Sequence, residues 1–249
     1  MEPNLASYYI SPLGDSAILV DFGNKIDEDI NKKVIARTRQ LKENLSNVTE
    51  VVPAYSSLIV YFDLVKWKKN LPKDKLVFEH LKETINGLLS QPLLPDEHPS
   101  RLIKIPVCYE GEFASDIQDV ASANAITADE VVALHLSKTY RVYMLGFLPG
   151  FCYLGSVDEK IAISRKPQPH PVSAGSVGIA GMQTGIYPLA SPGGWQIIGR
   201  TPLKLFDSYA KEPALLRAGD SVHFFAINKN DFNDIQNTPI LPEGNREVT

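Results

Sequence analysis

The chain has 249 residues, 44% of them hydrophobic and 22% charged, with a formal net charge of −4. That length holds one large domain or two ordinary ones of about 100–150 residues, with ample material for a buried core. The acidic balance excludes the broad basic field that holds nucleic acid or an anionic membrane by counterion release. The two cysteines, Cys108 and Cys152, show neither paired nor metal-ligand spacing, so reduced thiols and no metal site are expected. No basic segment leads into an apolar run, and no stretch of about 18 apolar residues occurs, so the expected location is the cytoplasm.

In chain order, residues 8–22 read as two short strands, Tyr8 to Ile10 and Ala17 to Phe22, around a turn at Pro12 to Asp15. The period then changes: Asp27 suits an N-cap, and Ile30, Val34, Leu41 and Leu45 share one face of a helix ending near Ser46-Asn47. Two β-rich runs follow, Val48 to Ala54 and Ser57 to Phe62. A second helix is expected from Asp74, with Val77, Leu81, Ile85 and Leu88 at helical spacing. This predicts a small α+β sandwich over residues 1–92. The proline-rich Gln91 to Pro99 reads as a connection, and a second domain is expected over 100–240.

There, Leu102 to Tyr109 forms a strand that Pro106 confines to an edge or a bend. Ser115-x-x-Gln118 and Thr127-x-x-Glu130 both match the capping box that opens a helix. From Tyr140 onward, glycine and proline punctuate short apolar runs as in a β-barrel or sandwich.

Ten of the 16 glycines lie between Gly146 and Gly199, and from Pro171 to Leu203 the single charged residue is Arg200. An Arg in such a setting needs a carboxylate or phosphate; an acid of the fold, Asp207, serves as well as a ligand would. The run Gly146 to Gly155, with Phe147, Leu148, Phe151 and Tyr153, either walls a pocket or makes a rigid barrel corner with core aromatics. Ala174 to Gly181 resembles a phosphate loop but lacks its Lys-Ser/Thr ending and the following helix, and reads as small-residue strands. Gln183, Thr184 and Tyr187 supply neutral donors and acceptors suited to a planar amide or its oxyanion. Trp195 offers an aromatic face. His135 faces the core or the C-terminal end of its helix. His170, between two prolines, is a candidate acid or base.

Together, the runs Gly146–Gly155, Ala174–Pro188, Ser191–Trp195 and Ile198–Pro202 with Leu205-Phe206-Asp207 closely resemble the allophanate hydrolase subunit 1 family. Gly14-Asp15-Ser16-Ala17 and Gly219-Asp220 extend the likeness to both ends. That family includes the B subunits of prokaryotic 5-oxoprolinases, Kip-type inhibitors of a histidine kinase, and part of the carboxyltransferase domain of urea carboxylase. The resemblance implies an N-terminal α/β domain followed by a cyclophilin-like β-barrel. It implies two partners, the 5-oxoprolinase C subunit (similar to allophanate hydrolase subunit 2) and its A subunit, and ATP as co-substrate of the complex in opening 5-oxoproline to glutamate. On this reading Arg165, Gln183, Tyr187 and Arg200 bind or polarise a small amide or lactam. Phe147 and Trp195 wall the site, and His135, His170 and Thr184 line it. One departure stands out: His170-Pro171-Val172-Ser173 occupies the place of the family's second Arg and Val-Pro, and His170 replaces that Arg only when protonated.

Overall fold

A computed structural model describes residues 8–93 and 100–237. The N-terminal tail, the 94–99 part of the expected connection and the C-terminal tail lie outside the described residues. The fold is mixed α and β and divides into two compact units, Met1–Pro99 and Ser100–Thr249.

The first unit carries a four-stranded antiparallel sheet, β1 (Tyr9–Pro12), β2 (Ala17–Asp21), β3 (Val48–Pro53) and β4 (Ser57–Phe62), in the order β1-β2-β4-β3. Register sets Ile18 opposite Val60 and Val20 opposite Leu58, so the period-2 pattern puts all four on one buried face. Helix α1 (Glu28–Asn44) opens as the sequence predicts, with the Asp27 side chain accepting from the Asp29 and Ile30 amides. Its buried Asn31 spans to the Ala54 and Tyr55 carbonyls at 3.1 Å each. Two readings change. The second long helix, α3 (Val77–Leu89), begins after Leu76 without a side-chain cap, because Asp74 sits in a turn closed by the Lys75 amide on Pro72. The short α2 (Leu64–Asn70) buries Trp67 alone, too little periodicity to signal a helix.

The second unit is built on a seven-stranded sheet. Its strands are β5 (Leu102–Val107), β6 (Thr139–Leu145), β7 (Cys152–Gly155), β9 (Ser176–Ala180), β10 (Gln183–Ile186), β12 (Gln196–Arg200) and β13 (Ser221–Ala226), in the order β12-β9-β10-β7-β6-β13-β5. A ribbon of β8 (His170–Val172) with β11 (Ser191–Gly193) stands apart from it. Pro106 lies on the edge strand β5, where a missing ladder donor is tolerated. The sheet curls into a half-barrel until its edges touch: Cys108, just past β5, and Arg200, ending β12, exchange both backbone hydrogen bonds at 2.9 Å. The concave side is filled by Val107, Val142, Leu154, Val177, Ile179, Ile186, Ile198 and Phe224, all buried.

Among the described residues, three α-helices complete the unit: α4 (Ile117–Ala123), α5 (Ala128–Leu136) and α6 (Lys229–Asn237). The Thr127–Glu130 capping box forms in full. The expected Ser115–Gln118 box does not. Helix α4 starts after Asp116, whose carboxylate is drawn away to the Ile197 amide at 2.6 Å and to Lys166 Nζ at 2.7 Å. Helix α6, unforeseen in the sequence, buries Phe232 against Phe113 and Cys108.

Candidate active site

Alternation in β7, β9 and β10 sends Cys152, Leu154, Val177, Ile179, Thr184 and Ile186 into the interior, which leaves Tyr153, Gly178 and Gly185 on the convex face. Gly185 is registered with both Tyr153 and Gly178, so two glycines lie side by side as a floor. A Cβ on Gly185 would sit 3.0 Å from the Trp195 ring and 3.1 Å from that of Phe151; one on Gly178 would meet Trp195 Cβ at 3.0 Å. The glycines make room for aromatic rings laid directly on the sheet.

Those rings form an edge-to-face cluster centred on the buried Phe151, with centroids 4.9 Å from Tyr153, 5.1 Å from Tyr187, 5.5 Å from Trp195 and 5.6 Å from Phe147. Gly193 of the ribbon lies against the Tyr187 hydroxyl, with no room for a side chain. Phe147 is different: it is 63% exposed and held at φ +70°, a left-handed conformation costly for a bulky residue. In the Gly146–Phe151 turn Phe151 is core, as in the barrel-corner reading, and Phe147 is exposed.

Arg165 stands beside this cluster. Its Nε lies 3.7 Å from where a Gly194 Cβ would be, and its charge reaches the hydroxyls of Tyr153 and Tyr187. The side chain is exposed, and among the described residues no carboxylate pairs with it. Its neighbour Lys166 fixes the local backbone, donating its amide to Gly194 O at 2.7 Å and its ammonium to Asp116. Burial raises the Tyr187 phenol above its ordinary pKa, partly offset by the Trp195 amide donated to its oxygen, and burial likewise raises Tyr153 against the pull of Arg165. Both are neutral O–H groups at physiological pH; Tyr187 is buried and its oxygen accepts the Trp195 amide, whereas Tyr153 is half-buried beside the exposed Arg165, whose guanidinium suits a carboxylate.

The other expected site residues fall in different places. His170, exposed, pairs in register with Gly193 and so borders the same ribbon. Gln183 is half-exposed at the far end of β10 from Ile186, three residues or roughly 10 Å along the strand. Arg200 donates Nε to the Ala174 carbonyl at 2.7 Å and lies over the Phe232 ring of α6; Asp207 is held by Lys204 at 2.8 Å. Thr184 and His135 are wholly buried in the interior. His135 ends α5, where the helix dipole favours a cation, but burial overrides this and lowers its pKa to about 3. Cys152 is no nucleophile, its thiol pushed up to about 12 by burial. Within Ala174–Gly181 the Gly175 amide goes to Tyr187 O and the Gly181 amide to Ile163 O, at 2.7 Å each, and Ser176–Ala180 is strand β9 between β12 and β10. Phe151 and Tyr153 are the additions to the expected set, and their i, i+2 spacing around the inward Cys152 was the available signal.

Comparison with known proteins matches residues 8–216 to the carboxyltransferase domain, subdomain C and D. The 5-oxoprolinase B subunit of Bacillus subtilis is 44% identical over 91% of this chain and 95% of its own length, and that of Escherichia coli O157:H7 is 40% identical over 85% and 93%. Among solved structures, PH0987 from Pyrococcus horikoshii is 43% identical, covers 90% of this chain and all of its own, and superposes with a TM-score of 0.52. TTHA0988 is 35% identical with a TM-score of 0.72 over 85% of this chain, which spans 40% of that longer one. The aromatic face and its glycine floor thus lie within a domain of known lineage, and the chain belongs to the carboxyltransferase subdomain C and D family.

Proposed function

We propose that this chain is the B subunit of a heteromeric, ATP-dependent 5-oxoprolinase, and that its contribution is the convex aromatic face beside Arg165. The observation that carries this reading is an exposed guanidinium, Arg165, with no carboxylate partner among the described residues, whose charge is felt at two neutral phenols, Tyr153 and Tyr187. Arg165 takes the carboxylate of a small lactam, a phenol donates to the lactam carbonyl oxygen, and Phe147 and Trp195 flank the ring. His170 and Gln183 border the same face, and Arg200, turned toward α6, serves the barrel end. The names of the relatives at 37–44% identity support the activity. A cyclophilin-like barrel following a small α/β domain is the architecture this reading adopts.

A lactam is a poor electrophile. Transfer of a phosphoryl group from ATP to its oxygen leaves ADP; addition of water at that carbon with departure of the ring nitrogen breaks the C–N bond to give γ-glutamyl phosphate, and a second water releases phosphate and glutamate. Because Ser176–Ala180 is an internal strand of the sheet, this reading places ATP on the companion A and C subunits, with this chain inactive alone in the cytoplasm. The test is reconstitution: the chain mixed with both companions releases glutamate from 5-oxoproline only with ATP. A folded, complete set without that activity overturns the reading and favours a Kip-type kinase inhibitor.

A further inference from the structure

The interior of the second unit holds a polar chain that the proposed chemistry leaves unused. The Tyr109 hydroxyl lies 2.8 Å from His135 Nδ1, His135 Nε2 lies 3.0 Å from Thr184 Oγ1, and Thr184 Oγ1 donates to the Gly178 carbonyl at 3.0 Å. The last bond sets the direction of the others. Thr184 has one proton and gives it to a carbonyl, so its oxygen accepts from His135, which fixes the Nε2–H tautomer; Nδ1 then accepts from Tyr109. The imidazole is pinned further by stacking on Tyr140 and Phe224, with centroids at 5.3 and 4.7 Å, and its backbone carbonyl accepts the Tyr140 hydroxyl at 2.8 Å. Every bond in the chain is made, by groups that stay neutral at physiological pH, so the network is rigid rather than titrating.

Its end point is the relevant feature. Gly178 and Gly185, the latter adjacent to Thr184, are the two floor positions on which Trp195 rests from the opposite face. Glycine strands specify their own position weakly, because they have no side chains to pack. We infer that the Tyr109–His135–Thr184 chain is an internal strut: it fixes the glycine floor from inside the sheet and so positions Trp195 and Phe151 on the outer face. His135 and Thr184 are then positioning residues that never touch a ligand. The strut itself is independent of the proposed activity; only its catalytic consequence rests on that reading.

The sequence holds two tryptophans, Trp67 and Trp195, one in each unit, so ¹⁹F NMR of the full chain carrying 5-fluorotryptophan reads the strut directly. In Thr184→Val, which keeps the shape and removes the hydroxyl, the Trp195 resonance is expected to shift and broaden while Trp67 stays in place. Thr184→Ser restores the original signal. Val222→Ala, a deletion elsewhere in the same core, leaves it unmoved. A Trp195 signal unchanged in Thr184→Val, or moved as far by Val222→Ala, overturns the strut. Should Thr184→Val not fold, ¹⁵N spectra of the wild-type chain decide: the Nε2–H tautomer supports the strut, and the Nδ1–H tautomer or an imidazolium contradicts it. In the reconstituted assembly, Thr184→Val raises KM for the lactam by about 2–30-fold with kcat little changed, and Thr184→Ser does not.

Discussion

The two faces of the β9–β10 pair obey opposite rules. Inward, Val177, Ile179 and Ile186 fill a dry core, and the polar Thr184 is tolerated because it joins a fully satisfied chain with His135. Outward, the same strands offer almost no side chains, since Gly178 and Gly185 give way to rings delivered from other segments. The comparison teaches where charge goes. The interior neutralises the buried His135, whereas the outer face keeps Arg165, without a carboxylate partner among the described residues, in solvent beside neutral phenols.

The sharpest way to break this contrast is at Arg165. Arg165→Ala is expected to weaken lactam binding by the assembly about 10–100-fold, the loss of a charge-assisted contact. Arg165→Lys recovers only part of it, for want of the planar fork; titration calorimetry of the assembled complex measures both.

Next is the floor. Gly185→Ala places a methyl group 2.8 Å from Cys152 O and 3.0 Å from the Trp195 ring, and such overpacking costs about 1–3 kcal/mol. Urea unfolding, with the slope held constant, reports it.

The interior histidine yields a pH signature. Its folded pKa is lowered to about 3 from 6.5, so below pH 6.5 the unfolded chain binds more protons than the folded one. The stability it confers is present above pH 6.5 and lost as pH falls toward 3, by up to about 1.4 kcal/mol per pH unit. Thermal melts from pH 7 to 4.5 should show this slope for the second unit, and His135→Gln should flatten it.

The smallest effect belongs to the rim. Phe147→Gly relieves the positive φ and is expected to raise stability by about 1 kcal/mol while weakening lactam binding, a split visible when melts and titrations are compared.

Much of this fold is legible in the sequence, for reasons that differ by element. Helix α1 and strands β2 and β4 carry complete periodic patterns and a capping aspartate, so local chemistry specifies them. The Thr127–Glu130 box is equally local. The Ser115–Gln118 box fails because Asp116 is recruited by Ile197 and Lys166, residues 81 and 50 positions away, which no window reveals. At the candidate site, the glycine concentration reads as small-residue strands open to close approach by backbone or a ligand, and what approaches Gly178 and Gly185 is the Trp195 and Phe151 side chains. Arg200 stands out in sequence by isolation, yet it stacks on Phe232 of a helix without a strong signature of its own. Arg165, less conspicuous among Ser164, Lys166 and the prolines, is exposed beside the aromatic face. Which way Thr184 and His135 point depends on strand alternation and on the register of β10 with β9, both settled by tertiary structure.

The account turns on the claim that the outer aromatic face, and not the interior or the α6 end, receives the lactam. The most direct measurement is KM for 5-oxoproline in the reconstituted assembly, compared between Arg165→Ala and Arg200→Ala. A KM raised about tenfold or more by Arg165→Ala, with a much smaller change in Arg200→Ala, is the predicted result; an unchanged KM in Arg165→Ala contradicts it.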